Sequence, residues 1–273
     1  MLKDITLGQY FPGESFLHKL DARMKLILAI FYIVLIFVAK SVTSYLLMFT
    51  FTMLMIGISG IPFKTVLKSL KPLLIVLIFT MLINIFWSTG DTVLFSIGKL
   101  DIYLEGVLRA AAMALRIIML MAGSSVLLMY TTSPISLTDA LERLLAPLAA
   151  IKIPVHTFAM MMTMALRFIP TLLEETQKII NAQKARGADF DSGNIIKKAK
   201  ALVPVLIPLL ISQFRRAEEL ATAMECRCYR GGNGRTRMTI THFTSRDLIA
   251  GASMILLSAG VLILNHYFYI YIV

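Results

Sequence analysis

The last stretch of the chain, LIAGASMILLSAGVLILNHYFYIYIV from Leu248 to Val273, contains no Asp, Glu, Lys or Arg. A helix that crosses the hydrocarbon layer of a membrane needs about 20 mostly apolar residues. The stretch therefore predicts a transmembrane helix that continues to the C-terminus.

The rest of the chain supports a membrane protein. Of its 273 residues, 58% are hydrophobic, whereas about 45–50% is usual for a soluble domain. Similar apolar stretches occur four more times, at Met24–Ala39, Ser41–Ile61, Pro72–Thr89 and Gly106–Tyr130. We therefore predict an all-α, polytopic membrane protein with about five transmembrane helices and three cytoplasmic helices.

The distribution of lysine and arginine predicts the orientation in the membrane. These residues cluster before the first span and between the second and third, and cytoplasmic loops carry such clusters. The loop 90–105 carries one lysine against three acidic residues, which suits the outer side. We therefore expect a cytoplasmic N-terminus and an outer C-terminus. The basic residues are Lys3, Lys19, Arg23, Lys25, Lys64, Lys68 and Lys71.

The predicted spans divide the chain into three regions: transmembrane helices in 1–130, a cytoplasmic region in 131–246, and the last transmembrane helix in 247–273. The middle region carries 16 Lys and Arg against 9 Asp and Glu. The formal net charge of the whole chain is +11. Because no basic face is interleaved with stacking aromatic residues, we do not expect nucleic-acid binding.

The middle region predicts one short helix and two long ones. The short helix covers Ser136–Ala150, and the long ones run from about Pro154 to Arg186 and from Asn194 to Tyr229. Each long helix begins with an apolar part and ends with a charged part. A close antiparallel hairpin would set apolar against charged parts, so we expect crossed helices whose apolar parts meet, although a hairpin with other partners remains open.

Each long helix ends at an isolated arginine between small residues, Ala185-Arg186-Gly187 and Cys226-Arg227-Cys228. An arginine in a last helical turn can simply stabilise the helix dipole, by ~0.3–1 kcal/mol. Gly187 is typical of a left-handed helix cap. Two such ends favour a second role, because an arginine with small neighbours can enter a groove and bind carboxylates through its planar fork.

The sequences of three segments resemble those of the transmembrane T component of energy-coupling factor transporters. The segments are GQYFPGESFLHKLDARMKL, ALRFIPTLLEETQKIINAQKARGADF and RRAEELATAMECRCYRGGNGRT. The resemblance implies two crossed coupling helices. Each ends in an X-Arg-X motif that docks on one of two ABC ATPase subunits. The second motif departs from the usual Ala-Arg-Gly, since Cys226 and Cys228 flank Arg227.

The resemblance also implies the partners and the location. A separate membrane S component binds a vitamin or other micronutrient, and the complex imports it across a bacterial cell membrane. ATP and magnesium belong to the partner ATPases, so we expect no cofactor and no catalytic residue in this chain. The absence of a G-x-x-x-x-G-K-[ST] loop agrees with this expectation. The sequence does not name the imported substrate.

A methionine cluster at the start of the first long helix is a candidate contact for the S component. Methionine is flexible and polarizable, so such a surface can repack against different partners. Lipid contact and ordinary core packing are the alternatives. The cluster comprises Met160, Met161, Met162 and Met164.

Several charged residues have simpler interpretations. Glu175 is expected to pair with Lys178 along its own helix, at a spacing worth ~0.2–0.5 kcal/mol. Arg116 lies inside the fourth span, where charge is costly, and the sequence suggests no role for it. Cys226 and Cys228 are too close for an unstrained disulfide, and no histidine spacing predicts a metal site.

Two other functions compete with a transporter subunit. An integral-membrane enzyme that modifies lipids would need clustered carboxylates or histidines, which the sequence does not display. A basic protein that binds the surface of anionic membranes would use the charged helices instead. Co-purification with two ATPase subunits distinguishes the transporter subunit from these two alternatives.

Overall fold

The computed structural model describes residues 10–87, 92–97, 100–188, 190, 195–231 and 243–267. These residues form nine α-helices and one short antiparallel hairpin of strands β1 (Val93–Ile97) and β2 (Leu100–Tyr103). The helices are α1 (Ala22–Val38), α2 (Val42–Ser59), α3 (Phe63–Leu70), α4 (Leu74–Trp87), α5 (Leu104–Ser124), α6 (Pro134–Leu144), α7 (Val155–Ala185), α8 (Ile195–Cys226) and α9 (Ser245–Tyr267).

Five helical segments of the described chain are long and apolar enough to cross a membrane. Four of them correspond to predicted spans, so the all-α, multi-pass architecture is confirmed. The segments are Val42–Ser59, Phe63–Trp87, Leu104–Met129, Val155–Ala185 and Ser245–Tyr267. The end of the last predicted span, residues 268–273, lies outside the described residues.

The first predicted span, Met24–Ala39, corresponds to helix α1 but is not among these five segments. Helix α1 has only 17 residues, which is the lower end of the range that spans a bilayer. One side of α1 nevertheless exposes large apolar side chains, as a lipid-facing helix does. They are Ile27, Ile30, Phe31, Val34 and Phe37.

Helix α7 is the fifth segment, although the sequence predicted a cytoplasmic helix there. Its part without Asp, Glu, Lys or Arg is 155–166, which is only roughly 18 Å long at 1.5 Å per residue. A full crossing of about 30 Å would have to bury the charged residues that follow, beginning with Arg167. Helix α7 therefore has the length of a membrane span only if its charged residues are included.

The chain separates into two compact units. The described part of one consists of 141–188, 190 and 195–231, and contains α7 and α8. The described part of the other consists of 10–87, 92–97, 100–140 and 243–267, and contains α1 to α5 and α9. The predicted region boundaries at 130/131 and 246/247 remain predictions.

Tyr32 of α1 is fully buried in the unit that contains α1 to α5 and α9, which we call the membrane unit. Its hydroxyl oxygen lies 2.7 Å from Oγ1 of Thr52 in α2 and 3.0 Å from the carbonyl oxygen of Met119 in α5. The ring packs against Gly123, where any Cβ would collide with it. A polar group shared by three helices fixes their arrangement, because an unpaired hydroxyl in this place would cost free energy.

Helix α9 is fastened to α1 at both of its ends. Near its start, buried Asp247 accepts hydrogen bonds from the backbone N–H groups of Asp21, at 2.9 Å, and of Thr244, at 2.8 Å. Near its end, the Asn265 amide donates to the carbonyl oxygen of Val38 at 2.8 Å. The bonds to Asp21 and Val38 fix the last helix against the first, although the paired residues are 226 and 227 positions apart in sequence.

Arg116 of α5 has a structural role that the sequence did not reveal. Its guanidinium donates to the carbonyl oxygen of Ala39, the C-cap of α1, at 3.3 Å. It also lies 5.9 Å and 5.4 Å from the ring centres of Phe37 and Tyr45. A cation at a helix C-terminus stabilises the dipole, and aromatic faces attract it further. Arg116 therefore fixes α5 to the turn between α1 and α2.

Candidate partner-docking site

Helices α7 and α8 have 31 and 32 residues, close to their predicted bounds. Pro154 stands immediately before α7, where its fixed φ suits a helix start. Pro170 lies inside α7, and Pro204 and Pro208 lie inside α8. Each internal proline removes one helical hydrogen bond, which favours a bend of the helix at that point.

The end of α7 is a Schellman motif with Arg186 at the C-cap position. The N–H of Gly187 donates to the carbonyl of Lys184 at 3.0 Å, and the N–H of Ala188 donates to that of Gln183 at 2.9 Å. Gly187 has φ +90°, a left-handed conformation that favours glycine. The predicted glycine cap is confirmed, and its two hydrogen bonds satisfy carbonyls that the helix leaves unpaired.

The end of α8 repeats the same motif with Arg227 at the same position. The N–H of Cys228 donates to the carbonyl of Glu225 at 2.8 Å, and the N–H of Tyr229 donates to that of Met224 at 3.0 Å. Cys228 has φ +55°, so a cysteine adopts the conformation that glycine adopts in α7. Arg186 and Arg227 are therefore equivalent in backbone geometry.

Both arginines and their small neighbours are exposed. The residues on either side of each arginine present little bulk, so each guanidinium can approach a concave surface. An arginine fork can then donate two parallel hydrogen bonds to a carboxylate. The exposed set comprises Ala185, Arg186, Gly187, Cys226, Arg227 and Cys228. Their role in docking remains a prediction.

Glu175 of α7 joins the two long helices. Its carboxylate accepts hydrogen bonds from Ser212 Oγ at 2.6 Å, Gln213 Nε2 at 2.7 Å and Arg216 Nη2 at 3.4 Å, all in α8. The expected pairing of Glu175 within its own helix therefore misses its main partners. Ser212 and Gln213 could have indicated this contact from the sequence, because they are polar residues that interrupt an apolar run on the facing helix.

The contacts between α7 and α8 run in antiparallel order. Arg216 lies against Glu175, and the Gln183 amide donates to the carbonyl oxygen of Pro204 at 3.4 Å. The second half of α7 thus lies beside the middle of α8, whereas the sequence predicted contact between the apolar parts. Polar side chains that follow the apolar run of α8 satisfy Glu175, which makes this arrangement acceptable.

This arrangement separates the ends of α7 and α8 that carry Arg186 and Arg227, which we call the arginine tips. Gln183, one turn before Arg186, contacts Pro204, and the helix from Pro204 to Arg227 is roughly 35 Å long at 1.5 Å per residue. The tips therefore stand at different places in the unit.

The predicted methionine cluster occupies the second and third turns of α7. Met161 is 53% exposed and Met162 is 41% exposed, while Met160 and Met164 are half-buried. The surface is available for a partner or for lipid. Among the described residues, no group of three or more His, Cys, Asp or Glu is placed to hold a metal ion.

Comparison with known proteins decides the family. Residues 13–239 match the CbiQ family, described as cobalt transport protein. The chain belongs to the CbiQ family. Three relatives named energy-coupling factor transporter transmembrane protein EcfT extend this assignment to almost the whole chain. The relative from Ruminiclostridium cellulolyticum is 54% identical, and the match covers 98% of this chain and 100% of the relative.

The other two relatives show the same pattern at lower identity. The Clostridium kluyveri protein is 53% identical, over 94% of this chain and 95% of its own length. The Bacillus subtilis protein is 42% identical, over 95% and 97%. This CbiQ family member is thus a transmembrane protein of the energy-coupling factor transporter type. The names of its relatives describe transporter components and are consistent with a non-catalytic subunit.

Proposed function

We propose that this chain couples ATP hydrolysis in two ABC ATPase subunits to the import of a vitamin or other micronutrient. A separate membrane S component binds that substrate. The chain transmits the opening and closing of the ATPases through α7 and α8 to the bilayer. ATP and magnesium are bound by the partner subunits.

One observation carries the proposal: two long helices of one unit end in the same capped geometry with an exposed arginine. A Schellman motif satisfies the last carbonyls internally, so the guanidinium is not needed to cap them. Each arginine is then available to bind acidic groups on a partner. Two equivalent tips suit two similar subunits.

The first experiment compares Arg186→Ala, Arg227→Ala and the double variant for co-purification with the ATPase subunits. Truncating one partner of a buried charge pair costs about 2–5 kcal/mol, which lowers the affinity at least about 30-fold. Each single variant should weaken retention of the ATPases, and the double variant should abolish it and substrate uptake. All variants should still insert in the membrane.

Arg215→Ala is the matched control, because Arg215 is also exposed on α8 but lies three turns before the tip. It should retain both ATPases. Normal uptake by the double variant would show that the arginines do not dock. Equal loss with Arg215→Ala would point to a general charge effect instead.

We infer that α7, α8 and both arginines face the cytoplasm, with the N-terminus on that side and the C-terminus outside. The charged second half of α7 supports this placement, since a crossing would bury Arg167 and Glu175 in lipid. Met161 and Met162 then contact the S component near the membrane surface. Their flexibility suits S components of different shape.

The two native cysteines report on this topology without a new substitution. Cys226 and Cys228 are exposed free thiols beside Arg227. In cells that express the chain without the ATPase subunits, a membrane-impermeant maleimide should label them only after the cells are permeabilised. Labelling in intact cells would place the end of α8 outside and contradict the topology. The Cys226→Ala/Cys228→Ala chain gives the background signal.

A further inference from the structure

A polar cavity of about 380 Å³ lies at the start of α1 in the membrane unit. Its walls come from the segment before α1, the first turn of α1 and the segment that leads into α6. The lining includes His18, Lys19, Asp21, Lys25, Thr132 and Ser136. Charged and hydroxyl side chains thus converge where the apolar helix α1 begins.

Lys25 is a buried cation on this cavity, with only 2% of its surface exposed. Its ammonium donates to the carbonyl oxygens of Thr131, at 2.8 Å, and of His18, at 3.1 Å. An ammonium has three donors, and neither of these acceptors carries a charge. The buried ammonium therefore retains a donor for a further acceptor, and the carboxylates of Asp21 and Asp247 attract its charge without a direct hydrogen bond.

Thr132 is a second polar group on the cavity that needs a partner. It is 7% exposed, and its Oγ1 has no hydrogen-bond partner among the described residues. A buried hydroxyl without a partner lowers stability, because it has lost water without gaining another hydrogen bond. A ligand oxygen in the cavity would satisfy it together with Lys25.

The acidic residue on the cavity does not exclude an anion. Asp21 accepts from the N–H of Arg23 at 3.0 Å, and its other oxygen lies 3.7 Å from the Arg23 guanidinium. Its charge is thus already engaged. Lys19 pairs with Glu14 at 3.5 Å, but both side chains are well exposed, so this pair is weak and can yield to a better partner.

An apolar groove of about 190 Å³ adjoins the polar cavity. Leu20 lines both spaces. On α1, Leu28 of the groove follows Lys25 of the cavity by about one turn, and Leu127 of the groove precedes Thr131 by about one turn. The groove therefore lies deeper along the membrane helices than the cavity. It is completed by Phe16, Phe51, Met55, Ile249 and Met254.

We propose that the cavity and the groove together bind one phospholipid. The phosphate accepts hydrogen bonds from Lys25 and Thr132, and a segment of one acyl chain fills the groove. The polar cavity and the apolar groove lie about one helical turn apart along α1, and Leu20 lies on the boundary between them. This order matches the order of head group and acyl chain in a bilayer leaflet. Basic pockets between transmembrane helices are known to suit such head groups.

The test uses the full chain in detergent with phosphatidylglycerol carrying palmitoyl and oleoyl chains. Native mass spectrometry should show one retained lipid, and the lipid should raise the melting temperature. Thr132→Val keeps the side-chain shape and removes the hydroxyl, so it should weaken lipid binding about tenfold, as expected for a hydrogen bond to a charged group. Retention of lipid at wild-type affinity by Thr132→Val would overturn the proposal.

A second variant tests the groove. Ser253 lines the groove and is exposed at its edge, so Ser253→Leu should fill it and lower lipid affinity. Ser258→Leu is the matched control on the same helix, because Ser258 lines neither space. If both variants bind lipid like the wild type, the groove holds no acyl chain and the proposal is wrong.

Inorganic phosphate distinguishes a lipid from a free anion. The proposal requires that millimolar phosphate neither stabilises the chain nor displaces the lipid, because the groove contributes to binding. Stabilisation by phosphate alone at the level of the lipid would assign a free-anion site instead and overturn the lipid proposal. The measurements do not involve the ATPases, so they are independent of the proposed coupling function.

Discussion

The ends of α7 and α8 have different sequences but the same backbone. Ala-Arg-Gly closes one helix and Cys-Arg-Cys closes the other, yet both arginines occupy the C-cap position of a Schellman motif. The left-handed residue is Gly187 at φ +90° in one and Cys228 at φ +55° in the other. The comparison shows that the position of the arginine is kept even where the preferred residue is not.

The difference between the two ends has an energetic consequence. Glycine adopts positive φ at no steric cost, whereas a residue with a Cβ pays roughly 1–2 kcal/mol for it. The end of α8 therefore stores strain that the end of α7 does not. Met224 and Tyr229, which occupy positions where an apolar contact commonly supports this motif, are both half-buried.

Gly187→Val should have the largest effect on this comparison. A β-branched residue at positive φ is a steric outlier, so the end of α7 should lose about 2 kcal/mol and shift Arg186. Cys228→Val should cost less, because cysteine already carries a Cβ there. Co-purified ATPase measures the effect, and Gly57→Val is the control, since a Cβ at Gly57 meets nothing within 4 Å. Equal losses at 187 and 228 would contradict the assigned strain.

Replacing each arginine by lysine is expected to have the next largest effect. Lysine keeps the charge but loses the planar fork, so docking should weaken about tenfold at either end. Titration of the chain with purified ATPase subunits measures the change, with Arg215→Lys as the control. Full affinity with lysine at 186 and 227 would mean that charge alone suffices and that the equivalent geometry is not needed.

Glu175→Ala tests what holds the two ends apart. The substitution removes the acceptor of three α8 side chains and should lower the free energy of unfolding by about 1 kcal/mol, because the site is partly open to solvent. A thermal melt in detergent measures it. Glu174→Ala is the control on the exposed neighbour. An equal loss with Glu174→Ala would show that the contact with Ser212 and Gln213 contributes nothing.

Cys228→Gly should have the smallest effect and the opposite sign. Relief of the left-handed strain is partly offset by the greater freedom of glycine when unfolded, so the gain should be about 0.5 kcal/mol. ATPase docking should not change. A destabilised Cys228→Gly chain would show that the cysteine side chain makes a contact that outweighs its backbone strain.

The sequence was sufficient for features that depend on local chemistry. Apolar runs identified four of the five segments of the described chain that are long and apolar enough to cross a membrane. Pro154 marked the start of α7, and Gly187 marked its end. The residue bounds of α7 and α8 followed from such signals because caps and breakers act within one turn. The equivalence of Arg186 and Arg227 was visible in the spacing of small residues.

The sequence was insufficient where a residue chooses between local and distant partners. Glu175 has Lys178 at a favourable spacing, yet it binds Ser212 and Gln213 across the helix pair. Arg116 looked costly because its acceptor, the carbonyl of Ala39, belongs to another helix. The spacing of residues along one helix carries no information on where a second helix lies. Periodicity therefore could not predict the contact of Glu175 with α8 or that of Arg116 with Ala39.

Protection of thiols from alkylation tests most directly whether Arg186 and Arg227 dock on the two ATPase subunits, because it reports on each helix end in the assembled complex. Cys226 and Cys228 flank Arg227 and are exposed in the chain. For the other tip, Ala185→Cys in a Cys226→Ala/Cys228→Ala chain places a single thiol beside Arg186. The rate of alkylation by a maleimide is measured with and without the two ATPase subunits. We expect bound ATPases to slow alkylation strongly at both tips. Unchanged rates at either tip in a complex that retains both ATPases would contradict docking through the two arginines.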